Sequence, residues 1–433
     1  MESNIIYIPR ICDSLLSKKM RSSGAVLVIG CKWCGKTMTA TQMAKSILYM
    51  QDPDKSAALM VMADTKPSIL LKGDHPRLID EWQMAPVLWD AVRFEVDKRQ
   101  AVGQFILTGS SVPKDNATAH TGTGRISRLL MRPMSLYESK ESNGEVSVKA
   151  LFDGEQDIST TSQMSIDQIA YAICRGGWPA SITLPKEDAL QMSRDYVDAI
   201  INQDISRVDG VEKNPERVQL LLRSLARNVA TMASNTTILQ DVVSNDMSIS
   251  APTLEVYLNA LRRIFVIEDQ PAWLPAMRSK SAIRTSSKRH FVDPSIATAT
   301  LRTSPEGLLE DFNTFGFLFE SLCTRDMRIY LQANDGDVYH YRDKNGLESD
   351  MIVSLRDGRW AAIEVKLGNK QIEDAAQNLK KLVDKVDMDK MGKPSFLMVL
   401  TGGEYAYRRS DGVLVVPRMH EGLISGIVIP TGQ

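Results

Sequence analysis

The chain has 433 residues, a length that predicts about two to four domains with cores of their own. Its 52 Lys and Arg residues balance 53 Asp and Glu residues, so overall charge favours no nucleic-acid partner. No apolar run reaches about 18 residues and the start lacks a charged leader, so we expect neither a membrane span nor a signal peptide. Five cysteines form no even framework, which favours a reducing, cytoplasmic setting.

A phosphate-binding loop is predicted directly after the first buried strand. Five apolar residues, 25–29, precede the pattern G-x-x-x-x-G-K-T, which comprises Gly30, Cys31, Lys32, Trp33, Cys34, Gly35, Lys36 and Thr37. A helix is predicted over 37–50, so loop N–H groups and the helix start would face an anion. We expect Lys36 to contact the β- and γ-phosphates of ATP and Thr37 to bind Mg²⁺. Tyr7 and Arg10, upstream of the loop, are candidates to line the adenine base.

Cys31 and Cys34 form a C-x-x-C pattern inside this loop. Such a pattern indicates redox chemistry or half of a zinc site in other contexts. No second cysteine pair follows in this chain. We therefore favour nucleotide binding as the role of this stretch, and regard oxidation as a side effect that would block it.

Two more strands are predicted to end beside the phosphates. The first ends in Asp80 and Glu81; we expect Asp80 to complete the Mg²⁺ site and Glu81 to polarise the attacking water. The second covers 104–110, where Thr108 and Ser110 are candidates to sense the γ-phosphate or the water. Capping of the next turn is an equal alternative for either of these two residues.

The remaining elements of the first 135 residues predict a parallel sheet flanked by helices. Residues 57–63 read as a buried strand, 86–99 as a helix and 111–124 as a mobile loop. Arg125 follows a glycine and is preferred to Arg128 as an arginine finger toward a neighbour's ATP. A surface salt bridge is the alternative role of Arg125.

The middle of the chain predicts a helical lid and then a winged helix. Helices are expected over 165–207, interrupted by a Gly-Gly-Trp-Pro turn at 176–179, and again over 215–234. A helix-turn-helix-strand pattern follows at 236–268. The basic stretch after it contains Arg278, Lys280, Arg284, Lys288 and Arg289. We expect this wing, 278–289, to contact DNA phosphates without reading sequence, while packing against protein is the alternative.

A second set of chemical residues is predicted in the last third. A long helix over 306–331 is expected to place on its core face Phe312, Phe315, Phe319 and Leu322, with Glu320 beside them.

Three strands, predicted at 338–342, 347–353 and 360–366, place Asp350 opposite Glu364 and Lys366. This constellation is typical of a metal-dependent phosphodiesterase, in which Glu320, Asp350 and Glu364 would hold Mg²⁺. Lys366 would then orient the water or stabilise developing charge. A solvated Glu-Lys pair on an edge strand is the alternative.

The chain resembles the bacterial and archaeal AAA-type ATPases that carry a C-terminal domain of unknown function similar to the PD-(D/E)xK nuclease fold. The motifs that carry the resemblance run in family order along nearly the whole chain, at 30–37, 78–83, 107–110, 124–125, 176–179, 291–294, 319–320, 348–350 and 364–366. Lys32 stands where many relatives have Arg, and Ser349 where many have Val. Neither difference removes a catalytic group.

The resemblance implies an α/β fold with four domains. They are a P-loop AAA-like ATPase core at 1–140, a linker and helical lid at 141–212, a winged helix at 213–287 and an α/β restriction-endonuclease-like domain at 288–433. We hypothesise an ATP hydrolase whose nucleotide cycle controls a DNA-binding C-terminal half, with DNA cleavage left open.

Two alternatives remain to this hypothesis. The first is a nucleotide-dependent switch or assembly protein whose nuclease-like domain is inactive and only binds. The second is a slow ATPase that works on protein partners through its winged helix. A homo-oligomer is required if Arg125 acts on a neighbour's ATP, and the sequence does not decide this point.

Overall fold

The computed structural model describes residues 7–110, 123–208, 210–244, 249–273, 286–417 and 421–422. The chain divides into two compact units. The first comprises Met1–Pro133, Asp204–Glu212 and Ala260–Phe265, and the second comprises Met134–Gln203, Lys213–Asn259 and Val266–Gln433. Arg278, Lys280, Arg284 and most of the predicted loop 111–124 lie outside the described residues. Within those ranges, every helix is too short or too polar to cross a bilayer.

The α-helices in these ranges are α1 (Ile11–Met20), α2 (Lys36–Thr41), α3 (Ser56–Thr65), α4 (Val87–Arg99), α5 (Val148–Phe152), α6 (Ile166–Arg175), α7 (Lys186–Ala199), α8 (Ile205–Arg207), α9 (Pro215–Arg227), α10 (Asn235–Val243), α11 (Ala251–Arg263), α12 (Pro294–Leu301), α13 (Pro305–Glu310), α14 (Phe312–Ala333), α15 (Ile372–Lys385) and α16 (Met388–Met391). Short 3₁₀ turns add Pro67–Ile69, Trp82–Met84, Pro179–Thr183 and Asn369–Gln371, and one π-helical turn spans Ile200–Asp204.

The β-strands are β1 (Ala25–Ile29), β2 (Ser46–Tyr49), β3 (Arg77–Asp80), β4 (Phe105–Gly109), β5 (Ile126–Leu130), β6 (Val146–Ser147), β7 (Ser159–Thr161), β8 (Gly336–Arg342), β9 (Glu348–Leu355), β10 (Trp360–Lys366), β11 (Leu397–Thr401), β12 (Tyr405–Arg408), β13 (Leu414–Pro417) and β14 (Glu421–Gly422). The short strands β6 and β14 pair with each other in parallel.

A five-stranded parallel sheet forms the centre of the first unit. Its strand order is β2-β3-β4-β1-β5, and every pair in it is parallel. Because parallel strands end at the same edge, the loops after β1, β3 and β4 meet there. Helix α4 packs on this sheet through Leu88, Trp89 and Val92, which are fully or almost fully buried. Burial of each such side chain contributes about 1.5–3 kcal/mol.

Two predicted elements of this unit are wrong. The helix predicted over 37–50 ends at Thr41, and the chain continues as β2, which pairs with β3 along its whole length. The strand predicted over 57–63 is helix α3, which buries Leu59 and Ala63 one turn apart. A short apolar run suits both structures, and sheet pairing or helix packing decides between them. The helix at 86–99 and the strands ending at Asp80 and Thr108 are confirmed.

The helices predicted as a lid pack within the second unit, where α6 and α7 contact α12, and α6 also contacts α13. The Gly-Gly-Trp-Pro turn fits tightly in this packing. A Cβ on Gly177 would lie 2.1 Å from the Met134 carbonyl oxygen, and the Gly177 N–H donates to Asp293 at 3.0 Å. The turn therefore needs glycine for close approach inside this unit.

Helices α9, α10 and α11 are followed by two short antiparallel bridges, Ile267 with Phe291 and Gln270 with Lys288. The prediction of an exposed basic wing is wrong for Lys288 and Arg289, the two wing residues that the structure describes. Lys288 is 5% exposed, and Arg289 is 7% exposed and donates to Asp269 at 3.0 Å. Both side chains are turned inward because buried carboxylates attract them, so neither is free to contact DNA.

The C-terminal sheet has seven strands in the order β7-β12-β13-β11-β10-β9-β8. Strands β8, β9 and β10 form the predicted antiparallel meander, and the register pairs Ala362 with Ile352. Helix α14 packs against β8, β9 and β10, and α15 packs against β9, β10 and β11.

The long helix predicted over 306–331 is divided at Asp311, whose carboxylate caps α14 by accepting from the Thr314 N–H at 3.1 Å. Phe315 and Phe319 are fully buried as predicted. Phe312 is 60% exposed, because it lies on the first turn of α14 rather than inside a longer helix.

Candidate functional site

The glycine loop follows β1 directly and leads into α2. Gly30 has φ of 154°, and a Cβ at this position would lie 2.0 Å from the Met131 carbonyl oxygen. Gly35 has φ of 100° and caps α2. Both positions therefore require glycine, one for close approach and both for backbone conformation.

The Lys36 side chain lies across its own loop. Its ammonium donates to the carbonyl oxygens of Gly30 at 3.0 Å and Cys31 at 2.7 Å, and the residue is 7% exposed. A buried ammonium held only by neutral carbonyls retains a strong attraction for an anion.

Asp80, at the end of β3, forms hydrogen bonds with residues of α2 and β4. Its Oδ1 accepts from the Thr37 hydroxyl at 2.7 Å and from the Thr108 hydroxyl at 2.6 Å, and the side chain is fully buried. Gln51 lies 3.4 Å from Oδ2. The structure thus brings together three residues that the sequence predicted as a group. Their hydroxyl and carboxylate oxygens are the donors that Mg²⁺ prefers, so the residues fit this ion.

Glu81 follows Asp80 in a left-handed backbone conformation, with φ of 56°. Its carboxylate accepts a hydrogen bond from the Gln83 side-chain amide. Burial raises the pKa of Glu81, while the charge of Lys36 acts in the opposite direction. The arrangement suits a carboxylate that takes a proton from water. Ser110 is buried just after β4, beyond Thr108.

Arg10 and Tyr7 support the loop rather than standing apart from it. The Arg10 guanidinium donates to the carbonyl oxygens of Cys34 at 2.7 Å and Arg132 at 2.8 Å. The Tyr7 hydroxyl contacts Asp13 at 2.6 Å and Thr39 at 2.9 Å. The sequence predicted a role at the adenine base for Tyr7 and Arg10 from their position before the loop. It did not indicate these hydrogen-bond partners. The Lys32 side chain points away from the loop, and its ammonium lies 2.5 Å from Asp204 Oδ1.

Cys31 and Cys34 are both buried, and the Cys34 sulfur lies 3.5 Å from the Met131 carbonyl oxygen. Burial opposes ionisation of Cys34, but a hydrogen bond with Cys31 and the charge of Lys36 hold its pKa below the usual range. Throughout the residues that the structure describes, no group of three His, Cys, Asp or Glu side chains could hold a metal. Both cysteines of the pair thus lie buried within the glycine loop.

Arg125 lies at the wrong edge of the sheet to reach this site within one chain. Its carbonyl accepts from the N–H of Ala25, where β1 begins, whereas the glycine loop starts where β1 ends. A five-residue strand separates the two by roughly 16 Å. The half-exposed Arg125 guanidinium pairs with Asp97 at 2.7 Å. The surface salt bridge is therefore the arrangement observed, and the finger role has no support within the chain.

The second predicted site forms a buried group that we call the carboxylate–lysine cluster: Glu320, Asp350, Glu364, Lys366 and Lys288. The Lys366 ammonium contacts Asp350 at 3.1 Å and Glu364 at 2.7 Å. The predicted meander thus brings these three residues together. Two neutral groups complete their bonding: the Val365 N–H donates to Asp350 at 2.9 Å, and the Asn378 amide donates to Glu364 at 2.7 Å.

Lys288 is the member that sequence reasoning missed. Its ammonium lies 2.5 Å from Glu320 Oε1 and 3.4 Å from Asp350 Oδ1. The basic stretch around it gave no signal that this lysine differs from its neighbours. Only the fold brings it to carboxylates that are 32 and 62 positions away along the chain.

The cluster contains three carboxylates and two ammonium groups, which leaves one excess negative charge in a buried place. Burial raises the pKa of Glu320 to about 7, with the charge of Asp350 acting in the same direction. Burial also raises the pKa of Glu364. Against the effect of burial, Lys288 and Lys366 hold the pKa of Asp350 well below its usual range. Burial thus favours the protonated form of both glutamates, whereas the two lysines favour the ionised form of Asp350.

This arrangement does not fit a divalent cation. Mg²⁺ needs carboxylate oxygens that are free to coordinate it. Here two ammonium groups, one backbone N–H and one amide engage the oxygens of Asp350 and Glu364, and Lys288 engages Glu320. The metal role of Glu320, Asp350 and Glu364 stays a prediction, and in the structure lysine side chains contact all three carboxylates.

Three family models match successive parts of the chain. An AAA domain matches residues 22–140, and two domains of unknown function, DUF8612 and DUF4143, match residues 166–307 and 315–420. No curated protein matches the chain in sequence. Residues 22–140 thus resemble an AAA domain in sequence, and they contain the parallel sheet and the glycine loop described above.

Two solved structures share weak overall similarity with the chain. A Walker-type ATPase of Pyrococcus abyssi is 14% identical, with 68% of this chain and 96% of that chain covered and a TM-score of 0.41. A Drosophila ORC bound to DNA is 15% identical, with 70% and 89% covered and a TM-score of 0.19.

Replacing Arg125 with alanine should leave ATP turnover close to that of the wild type. The side chain forms an exposed pair with Asp97, and such pairs contribute about 0–1 kcal/mol to stability. Steady-state ATPase assays on Arg125→Ala and on the matched variant Asp97→Ala should give similar rates. A finger acting in trans would instead lower the rate by about 10³-fold or more in Arg125→Ala alone.

The contribution of Glu320 to the unfolding free energy should fall as the pH rises from about 4.5 to about 7, while the buried His290 and His340, whose pKa values are lowered, contribute in the opposite direction. Glu320 keeps its proton in the folded state up to a pKa of about 7, whereas the unfolded glutamate has lost it above 4.5. The unfolded state therefore binds fewer protons over this range, and the slope is up to about 1.4 kcal/mol per pH unit.

Denaturant unfolding at several pH values measures the slope in the wild type and in Glu320→Gln, and the variant should lose the negative contribution of Glu320 because an amide does not titrate. The exposed Glu373→Gln is the control and should keep the wild-type slope. A slope that Glu320→Gln leaves unchanged, or makes more negative, contradicts the raised pKa of Glu320.

Proposed function

We propose that the protein binds and hydrolyses ATP with Mg²⁺ in its first unit and works as a nucleotide-dependent switch. In this proposal the C-terminal half binds or assembles and does not cut DNA. The observation that supports the ATPase most strongly is the buried Asp80, held by Thr37 and Thr108 beside the Lys36 loop.

Lys36 binds the β- and γ-phosphates. In the structure its ammonium donates to the loop carbonyls of Gly30 and Cys31. Exchange of these neutral acceptors for phosphate oxygens gives each hydrogen bond an ionised acceptor as well as an ionised donor, which adds the attraction between opposite charges. Gly30 and Gly35 keep the loop backbone close to the phosphates, because a side chain at Gly30 would meet the Met131 carbonyl and the backbone of Gly35 has a positive φ.

Thr37 and Asp80 would hold the Mg²⁺ through their hydroxyl and carboxylate oxygens, and the ion would supply charge stabilisation at the phosphate oxygens. The Thr108 hydroxyl fixes the orientation of Asp80 from the neighbouring strand. Because Asp80 is fully buried, its position depends on these two hydroxyl donors.

Glu81 orients the attacking water and accepts its proton. Its raised pKa, caused by burial, makes it a better base than an exposed glutamate. The Gln83 amide holds the carboxylate until the water and nucleotide are in place. This contact gives the resting state a defined Glu81 position.

The proposal assigns binding rather than cleavage to the second half because lysines already neutralise its carboxylates. DNA contact by the wing has no support from Lys288 and Arg289, whose side chains are paired internally. A DNA-cleaving enzyme is the second candidate, and the meeting of Asp350, Glu364 and Lys366 is the observation that favours it.

Replacing Lys36 with alanine should abolish ATP binding, since the phosphates lose their main cationic partner. Titration with a fluorescent ATP analogue measures the loss. Lys45→Ala removes the same charge from an exposed position outside the loop and should keep wild-type affinity. Unchanged affinity in Lys36→Ala would refute the assignment of the phosphate site.

Replacing Glu81 with glutamine should keep ATP binding and lower turnover by about 10²- to 10⁴-fold, because the amide cannot accept a proton. Single-turnover hydrolysis together with analogue binding separates the two effects. Glu95→Gln, on α4 and paired with Arg99, serves as the control and should hydrolyse normally. Wild-type turnover in Glu81→Gln removes Glu81 from the role of the base.

A further inference from the structure

We propose that Lys288 is the built-in cation of the carboxylate–lysine cluster. Its ammonium takes the position between Glu320 and Asp350 that a divalent cation would need, and so closes a latent metal site. This inference concerns the second unit alone and does not depend on ATP binding or hydrolysis.

Carboxylate oxygens from two separate elements converge on the Lys288 ammonium. Glu320 lies on α14 and Asp350 on β9, and both direct a carboxylate oxygen to the same nitrogen atom, at 2.5 Å and 3.4 Å. Oxygens from separate elements that converge on one cation form the usual geometry of a Mg²⁺ or Mn²⁺ site. Here the cation belongs to the chain.

Hydrogen bonds with Gln270 hold the backbone of Lys288 in place. Its N–H donates to the Gln270 carbonyl at 2.9 Å, and the Gln270 N–H donates to the Lys288 carbonyl at 2.8 Å. The fully buried Gln270 side-chain amide donates to the carbonyl oxygens of Tyr339 at 2.8 Å and Asp350 at 3.1 Å. These bonds bind the Lys288 segment to β8 and β9, so the ammonium is positioned by the fold.

The Lys288 side chain is deeply buried. Lys288 is only 5% exposed, and a lysine this deep is stable only when it is paired. Its removal leaves Glu320 without its partner and Asp350 with Lys366 alone among its cations. Two buried carboxylates that face an emptied position attract a divalent cation, which supplies two positive charges where the lysine supplied one.

The role of Lys288 also explains how the cluster can resemble a nuclease centre and still bind no metal. An ion must displace an ammonium that is tethered in place, and a tethered competitor acts at a high effective concentration. The wild-type protein should therefore bind Mn²⁺ at the cluster weakly or not at all, and loss of Lys288 should create a measurable site.

The test is Mn²⁺ titration of the full-length protein without nucleotide, followed by the EPR signal of free Mn²⁺ and by thermal unfolding. Lys288→Met should gain one site with affinity at least roughly tenfold above the wild type, and Mn²⁺ should raise its Tm. The double variant Lys288→Met with Asp350→Asn should lose this gain, which separates the cluster from any binding at Asp80.

Lys380→Met is the matched control, because it removes an exposed lysine paired with Asp411 at 2.6 Å and should gain no site. If Lys288→Met does not fold, Lys288→Gln replaces it, since its amide can still donate to Glu320. A folded Lys288 variant that gains no Asp350-dependent site overturns the proposal. An Asp350-dependent site of equal affinity in the wild type overturns it as well.

Discussion

The buried carboxylate of Asp80 is the contact on which the first unit depends. It accepts hydrogen bonds from Thr37, which follows the glycine loop, and from Thr108, on the next strand. The parallel register pairs Val28 with Thr108 and Tyr49 with Asp80, so the polar residues come to one edge. An unpaired carboxylate at this depth would cost several kcal/mol, and the two hydroxyls offset that cost. In the proposed function, the same bonds orient the oxygens that would hold Mg²⁺.

The two charged sites of the chain use opposite arrangements. At the glycine loop, the ammonium of Lys36 is bonded to neutral carbonyls, which an incoming phosphate can replace. In the carboxylate–lysine cluster, every cation already has a carboxylate partner, and Lys288 lies where an external ion would bind. In the first arrangement, the ammonium can still form an ion pair with a ligand. The second satisfies its charges internally, as a buried ion pair in a stable structure requires.

The sequence was most reliable where chemistry and spacing are local. The glycine loop, the strand ending in Asp80 and the meander that brings Asp350 beside Glu364 were all predicted, because motif spacing and alternation specify them. It was wrong over 37–50 and 57–63, where short apolar runs suit either helix or strand. It also placed Phe312 in the core, although the Asp311 cap starts a new helix there.

The sequence by itself determined that the chain contains a phosphate loop with its acidic partner and, far away, a set of carboxylates with a lysine. These assignments hold because each depends on residues within one or two neighbouring elements. Only the tertiary structure decided what the second set can do. Lys288 reaches Glu320 and Asp350 through contacts that span 32 and 62 positions, and Arg125 is directed to Asp97 by its place at the start of β5. A local pattern carries no information about such partners, since long-range packing alone chooses which charge meets which.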